Sequence, residues 1–284
     1  MWRISIGWGE IIMNMKYVIG IIVAIIIIVG AYFALAGSNQ QTINIAGSTS
    51  VQPFAQQLAQ AYMKEHPDVK INVQGGGSAV GLSSIQQGTA QIGTYSSKLA
   101  ANQSAGINQY QIANDGIVII VNKANPITSL SVSQVAAIYL GNDTNWNQVG
   151  GNDAKITVVT RESGSGTRDA LTSLALNKQN ITNTAIVQSS TGAVIQAVQG
   201  DPNAIGYASL ADISGANVTA LTVNGVVPSA TTVSNGKYAL VRPFLFLTKG
   251  PATGATLDFI NWVLSPAGQA IVKQAGAVPI GPTS

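Results

Sequence analysis

The sequence contains no cysteine among its 284 residues. Disulfides, thiolate chemistry, zinc–thiolate sites and a lipid-modified N-terminal cysteine are therefore excluded. Charge is also scarce, because Asp, Glu, Lys and Arg make up only 9% of the residues, against roughly a quarter in ordinary soluble proteins. Ser, Thr, Asn, Gln and Gly must cover most of the surface, which fits either an acidic environment or a bias of the lineage.

The residues needed for common catalytic sites are also missing. His66 is the single histidine, and a catalytic triad or a histidine metal site needs more than one such residue. The sequence has no nucleophile elbow, no P-loop and no complete dinucleotide-binding glycine motif. The aspartates are scattered singly, and we interpret them as turn or helix-end residues. We therefore expect no enzyme, no cofactor and no metal site.

The basic residues do not indicate a nucleic-acid-binding protein. The net charge is only +3, from 14 basic and 11 acidic residues. No basic run and no basic stripe with interleaved aromatics is present, so we expect no nucleic-acid partner.

A long apolar run lies near the N-terminus, at residues 17–35, and carries no charge. Its length is close to the roughly 20 residues that a membrane-spanning helix needs. Arg3 and Lys16 precede the run and the next basic residue is Lys64, which places the bulk of the chain outside the cell. We predict a cytoplasmic leader at 1–16, a membrane anchor at 17–35 and a polar tether at 36–41; a cleaved signal segment is the alternative.

The rest of the chain alternates short strands with helices. Residues 117–121 are continuously apolar, as in a strand buried on both faces. Further strands are predicted at 218–223 and 238–241, and a helix at 256–264. This alternation predicts an α/β fold with mainly parallel sheets. Because no Pro/Gly-rich linker divides the chain, we expect two lobes joined by crossing strands.

Three segments share one design, in which a strand is followed by a turn of glycine and hydroxyl residues and then by a helix. They are the first turn (47–50), the second turn (75–78) and the third turn (161–167). Each design leaves backbone N–H groups free at a helix start, where the helix dipole favours an anion. Arg161 would be the charge anchor, since its planar fork suits two oxygens of a tetrahedral anion. Arg168 and Arg242 are more typical of surface or interdomain ion pairs.

At these residues the chain resembles the phosphate-binding protein family, the substrate-binding component of phosphate ABC importers. The resemblance covers residues 42–282 and is carried most specifically by the third turn. It implies a periplasmic-binding-protein-like fold of type II, with two α/β lobes and a strand hinge. The apolar run at 17–35 adds a predicted N-terminal transmembrane helix to this fold. Lobe I would comprise 42–120 and 236–284, and lobe II would comprise 121–235.

The resemblance also implies a set of phosphate ligands, position by position. They are Thr49, Ser50, Ser78, Arg161, Ser165, Gly166 and Thr167. Ser96 stands where some relatives have an aspartate, which accepts a proton from phosphate and repels sulfate. We expect Ser96 to contact the ligand but to discriminate less sharply.

The expected function is capture of inorganic phosphate outside the cytoplasm and its delivery to the membrane permease subunits of an ABC importer. The resemblance implies a monomer, and the apolar run predicts that its N-terminal helix holds it at the membrane. Two alternatives stay open, namely a receptor for sulfate, tungstate or molybdate, and a phosphate sensor without a transporter. A phosphatase would need a nucleophile, a metal cluster or an acid–base pair, and the sequence offers none.

Overall fold

The structure is a computed structural model that describes residues 19–20, 22–27 and 40–281. The chain divides into two compact units, residues 1–40 and 41–284. In the first unit, residues 19–20 and 22–27 are helical and their isoleucine and valine side chains are exposed. Within the described part of the chain, no helix has the length and apolar character needed to cross a bilayer.

The predicted leader and most of the predicted anchor and tether lie outside the described residues. The tether nevertheless ends one residue early, because Gln41 already belongs to the first strand.

The second unit contains the following elements. The strands are β1 (Gln41–Gly47), β2 (Val69–Gly75), β3 (Ile92–Tyr95), β4 (Ile107–Asn122), β5 (Ser129–Leu130), β6 (Thr157–Arg161), β7 (Ile186–Gln188), β8 (Ala204–Ser209), β9 (Val218–Ala220), β10 (Thr222–Val223) and β11 (Val241–Lys249). The helices are α1 (Gln52–Glu65), α2 (Ser78–Gln87), α3 (Val132–Leu140), α4 (Gly166–Leu174), α5 (Thr191–Gly200), α6 (Ala230–Ser234), α7 (Gly254–Leu264) and α8 (Pro266–Gln274). Short 3-10 helices lie at Ala101–Gln103, Trp146–Val149 and Leu210–Asp212.

A nine-stranded sheet has the order β2-β1-β3-β11-β4-β8-β6-β7, with β9 paired to β4. At one end β1 runs parallel to β2 and β3, and at the other end β6 runs parallel to β7 and β8. The central pair β11 and β4 is antiparallel. The predicted α/β fold is therefore confirmed, as two parallel sheet regions joined through two long strands.

Strand β4 passes from one lobe to the other. Its residues 107–116 pair with β11, and its residues 117–121 pair with β8. The helices cover the sheet and bury two large apolar cores, one on each side of this crossing. The first core includes Phe54, Leu58, Phe244, Phe246 and Phe259, and the second includes Ile117, Tyr139, Trp146, Tyr207 and Leu221.

Two strand predictions need correction. The strand predicted at 238–241 begins instead at Val241 and continues to Lys249. The strand predicted at 218–223 is divided at Leu221 into β9 and β10, which join different sheets. The helix predicted at 256–264 is present as α7, and Pro266 occupies the first turn of α8, where its missing N–H costs nothing.

Candidate functional site

The first two turns are joined at the edge of lobe I. The Gly77 N–H donates to the Gly47 carbonyl over 2.9 Å, and the Ser48 N–H donates to the Thr94 carbonyl over 3.0 Å. Gly47 has a φ of +137°, and a β-carbon there would lie 2.9 Å from Gly81 Cα. Only glycine fits this position, because both the backbone conformation and the close approach of α2 exclude a side chain.

Three buried serines lie side by side where these turns meet β3. The hydroxyl of Ser48 donates to Ser96 Oγ over 2.9 Å. Ser78 Oγ lies 3.4 Å from Ser96 Oγ and accepts from the Ser96 N–H over 3.2 Å. We call Ser48, Ser78 and Ser96 the serine cluster. It gives lobe I a set of neutral donors that is closed off from solvent.

The third turn joins β6 to α4 in lobe II. Ser165 caps α4, its hydroxyl accepting from the Arg168 N–H over 3.4 Å. The Arg168 guanidinium donates to the Arg161 carbonyl over 3.1 Å. Arg168 therefore supports the end of β6 and is not a simple surface residue.

The two lobes meet directly at these turns. Ser50 Oγ of lobe I lies 2.8 Å from Thr167 Oγ1 of lobe II, and the Ala79 N–H donates to the Gly164 carbonyl over 3.0 Å. Gly166 packs against the serine cluster. The structure thus brings all the sequence-predicted site residues together, namely Thr49, Ser50, Ser78, Ser96, Arg161, Ser165, Gly166 and Thr167.

Arg161 is the last residue of β6 and is only 1% exposed. Its Nε and Nη2 donate to the two carboxylate oxygens of Glu162 over 2.8 and 2.7 Å. Its Nη1 donates to Thr191 Oγ1 over 3.1 Å. These bonds use three of the five guanidinium N–H groups, and both Nη atoms keep one further N–H each. The fork is therefore held on two sides while it can still bind an anion.

Sequence reasoning missed Glu162 and Thr191 as members of this site. Glu162 follows Arg161 directly, and its carboxylate neutralises the arginine charge. Thr191 lies in a fourth turn, 189–192, which follows β7 and opens α5. This turn, Ser189-Ser190-Thr191-Gly192, has the same strand–turn–helix design as the other three. The turn itself is visible in the sequence, but β7 has only three residues and polar neighbours, so it could not be recognised as a strand.

A buried ion pair lies behind the serine cluster, where the two long strands cross. Arg242 Nε donates to Asp115 Oδ2 over 2.9 Å, and Arg242 Nη1 donates to the Ser96 carbonyl over 3.0 Å. Asp115 Oδ1 accepts from the Ser209 hydroxyl and the Leu210 N–H. The interpretation of Asp115 as a turn residue was wrong, because it lies fully buried within β4.

Asp212 lies beside this pair in the 3-10 helix that follows β8. Within the described residues, its buried Oδ2 has no hydrogen-bond partner. Burial, together with the negative charge of Asp115, raises the pKa of Asp212 to about 8, against the opposing charges of Arg242 and Arg161. Asp212 is therefore largely protonated at neutral pH.

Comparison with known proteins relates this chain to a known family. Residues 34–267 match the family model described as a PBP superfamily domain. The phosphate-binding protein PstS of Bacillus subtilis is 34% identical over 245 residues, which cover 84% of this chain and 81% of that protein. The phosphate-binding protein PstS of Borreliella burgdorferi is 29% identical over 254 residues, which cover 85% and 91% of the two chains.

Solved structures show the same fold. One is a phosphate-bound structure from Clostridium perfringens of a candidate phosphate ABC transporter substrate-binding protein. It has 37% identity and a TM-score of 0.81, and the match covers 85% of this chain and 100% of that one. Another, an ABC-type phosphate transport receptor from Vibrio cholerae, has 34% identity and a TM-score of 0.70, with 83% and 99% covered.

Proposed function

This chain belongs to the phosphate-binding protein family, and we propose that it captures inorganic phosphate outside the cytoplasm for an ABC importer. The observation that carries this function is the meeting of four glycine-hydroxyl turns beside the guanidinium of Arg161, which keeps two of its five N–H groups for a ligand. These turns come from both lobes, as expected for a clamp that closes on its ligand.

The geometry suits an anion that is bound mainly by hydrogen-bond donors, since the positive charges of the site are already paired. Arg161 is paired with Glu162, and Arg242 is paired with Asp115. Both arginine charges are therefore balanced before a ligand arrives. Recognition then depends on hydroxyl donors, on backbone N–H groups at helix starts and on the remaining N–H groups of the fork.

In a proposed binding step, the eight predicted residues exchange contacts with each other for contacts with phosphate oxygens. Hydrogen bonds to a charged group are worth about 1.5–3 kcal/mol each. Several of them, less the cost of ordering the clamp, allow micromolar affinity or better, which is on the order of −8 kcal/mol. No covalent step is involved, so we propose a binding protein and not an enzyme.

A second candidate is a receptor for another tetrahedral oxyanion, and the identity of residue 96 favours it. A serine hydroxyl can donate to any oxyanion, whereas an aspartate at this position would repel an anion that carries no proton. Ser96 already accepts one bond from Ser48, so its proton remains free to donate.

Position in the cell and assembly are also part of the proposal. The exposed apolar side chains of residues 19–20 and 22–27 support insertion of the predicted anchor in the membrane, with the folded unit outside. From there a monomer would deliver phosphate to permease subunits. Protease added outside intact cells should degrade the folded unit if this orientation is right.

The deciding experiment is calorimetric titration of the full chain in detergent, freed of carried phosphate, with phosphate, sulfate, molybdate and tungstate. Tight one-to-one phosphate binding supports the importer receptor. Preference for another anion would mean that the protein is a receptor for that anion. Arg161→Met should abolish binding and leave the fold intact, because the remaining Glu162 carboxylate is 28% exposed and can reach water. Retained binding in this variant would contradict the proposed site.

A further inference from the structure

Thr191 has a hydroxyl that local secondary structure does not need. It is the first residue of α5, directly after the position where a hydroxyl residue commonly serves as the helix cap. That task is already done by Ser190, whose hydroxyl accepts from the Ala193 N–H over 3.1 Å. Thr191 is nevertheless only 2% exposed. A buried hydroxyl with no capping role must be explained by its other contacts.

Those contacts join the two lobes. Thr191 Oγ1 lies 3.1 Å from Ser50 Oγ and 3.4 Å from Thr49 Oγ1. The Thr191 N–H donates to Thr49 Oγ1 over 3.3 Å. Both partners belong to the first turn of lobe I, whereas Thr191 belongs to lobe II. The same side chain also accepts from Arg161 Nη1 over 3.1 Å.

Proton accounting fixes the direction of the bond between Arg161 and Thr191. A guanidinium can only donate, so Thr191 Oγ1 must be the acceptor from Arg161. The single hydroxyl proton of Thr191 is then available for lobe I, and Ser50 can pass its own proton toward Thr167, 2.8 Å away. A chain of donors can therefore run from Arg161 through Thr191 and Ser50 to Thr167, although in each hydroxyl–hydroxyl pair either oxygen can be the donor.

From this geometry we propose that Thr191 is a closure latch and a positioning residue for Arg161. Glu162 holds one edge of the guanidinium and Thr191 holds the other, so the fork has a fixed orientation in the closed protein. Because Thr191 also binds the first turn of lobe I, opening the lobes breaks the bonds that order this part of the site. The latch deepens the proposed function, since it would set how slowly the captured anion is released.

The test compares three variants of the full chain in detergent. Thr191→Val removes the hydroxyl at nearly constant volume, and Thr191→Ser keeps it. Thr253→Val is the matched control, because Thr253 is an exposed residue at the start of α7 whose side chain makes no capping bond. The measurements are stopped-flow association and release of phosphate, and lobe separation by single-molecule fluorescence transfer. Since the chain has no cysteine, labels can be placed at Gln60→Cys and Gln196→Cys.

We expect Thr191→Val to release phosphate about tenfold faster, with an association rate within about twofold of the unmodified protein. The ligand-free Thr191→Val protein should also spend more time open. Thr191→Ser and Thr253→Val should behave like the unmodified protein. Unchanged release and unchanged ligand-free opening in Thr191→Val would overturn the latch, as would a Thr191→Ser variant that is as defective as the valine variant.

The experiment also distinguishes a failed latch from an unfolded variant and from a failure of phosphate binding. If Thr191→Val loses its cooperative unfolding transition, the smaller Thr191→Ala provides the same comparison. If the unmodified protein does not bind phosphate, the proposed function fails, but the ligand-free opening measurement still decides the latch. In that case release is measured with whichever of sulfate, molybdate and tungstate binds.

Discussion

Gly166 of lobe II packs against Ser96 of lobe I so closely that a β-carbon on Gly166 would lie 2.7 Å from Ser96 Oγ. The same carbon would also collide with Ser78 Oγ. Gly166 does not need glycine for its backbone conformation, because it begins the regular helix α4 and has no positive φ. Glycine is required here by the approach of the opposite lobe.

Gly166→Ala should therefore weaken phosphate binding strongly without unfolding the protein. The methyl group would hold the lobes apart at the serine cluster, and we expect at least a tenfold loss of affinity, about 1.4 kcal/mol or more. The free energy of unfolding should change little. Alanine is a better helix former than glycine, and this gain offsets the loss of the contact between Gly166 and the serine cluster. Titration calorimetry and urea unfolding measure the two effects.

Gly200→Ala is the matched control for that experiment. Gly200 is the last residue of α5, and a β-carbon there meets nothing within 4 Å. The control should bind phosphate as well as the unmodified protein does. If Gly166→Ala also binds normally, the closed contact between the lobes is not the phosphate-bound arrangement.

Ser96→Asp should raise the preference for phosphate over sulfate. The Ser96 hydroxyl lies between Ser48 and Ser78, and both can donate to a carboxylate in its place. That carboxylate would accept the proton of a protonated phosphate and repel sulfate, which carries none at neutral pH. The ratio of the two affinities, measured by calorimetry, should rise by about tenfold or more. Ser96→Asn, which has the same shape without the charge, should leave the ratio near its original value.

Arg242→Met should be strongly destabilising. It removes the partner of Asp115, which would remain fully buried, and breaking a buried pair from one side costs about 3–5 kcal/mol. Urea unfolding followed by tryptophan fluorescence measures the loss. The double variant with Asp115→Asn should recover much of it, because no uncompensated charge is left. A double variant as unstable as the single one would show that packing of Arg242 on Phe244, 5.1 Å away, matters more than charge.

The parts of the fold with a regular apolar pattern could be predicted from the sequence. Ile43 and Ile45 mark a strand because they alternate with polar residues, and residues 117–121 mark one because they form a continuous apolar run, which is typical of a strand buried on both faces. β11 was misplaced because Pro243 interrupts its pattern and a proline is rare inside a strand. The strand tolerates it beside a register irregularity at Phe244 and Leu245. The polar first half of β4 could not be recognised either. It pairs with β11 through backbone hydrogen bonds, and its polar and apolar side chains do not alternate regularly.

The site residues that lie in a glycine-hydroxyl turn could be predicted from the sequence. Partners that depend on tertiary folding could not be recognised. Asp115 and Arg242 are 127 residues apart, and only the crossing of β4 and β11 brings them together behind Ser96. Glu162 was adjacent in sequence, but its direction is set by the Arg161 fork. The full set of partners for Arg161 is therefore a result of the structure.

Asp212 should make the protein less stable as the pH rises from about 4 to about 8. Its folded-state pKa is about 8, against an ordinary value of 3.8. Between these values the unfolded chain has released the proton and the folded protein keeps it, so raising the pH favours unfolding. The free energy of unfolding falls by at most about 1.4 kcal/mol per pH unit. Below pH 4 or above pH 8 the contribution of Asp212 no longer changes with pH.

Asp212→Asn removes the titrating group and keeps a side chain like the protonated form. The variant should match the unmodified protein near pH 4 and become progressively more stable than it up to pH 8, by a few kcal/mol and at most about 6 kcal/mol, which is the fall of about 1.4 kcal/mol per pH unit taken over about four pH units. Urea unfolding at one-unit intervals from pH 4 to pH 8 measures this. Asp258→Asn, an exposed position on α7, is the matched control and should leave the pH dependence unchanged. If Asp212→Asn gains nothing at pH 8, the folded protein holds Asp212 ionised, and the buried Oδ2 must then be stabilised by the positive charge of Arg242.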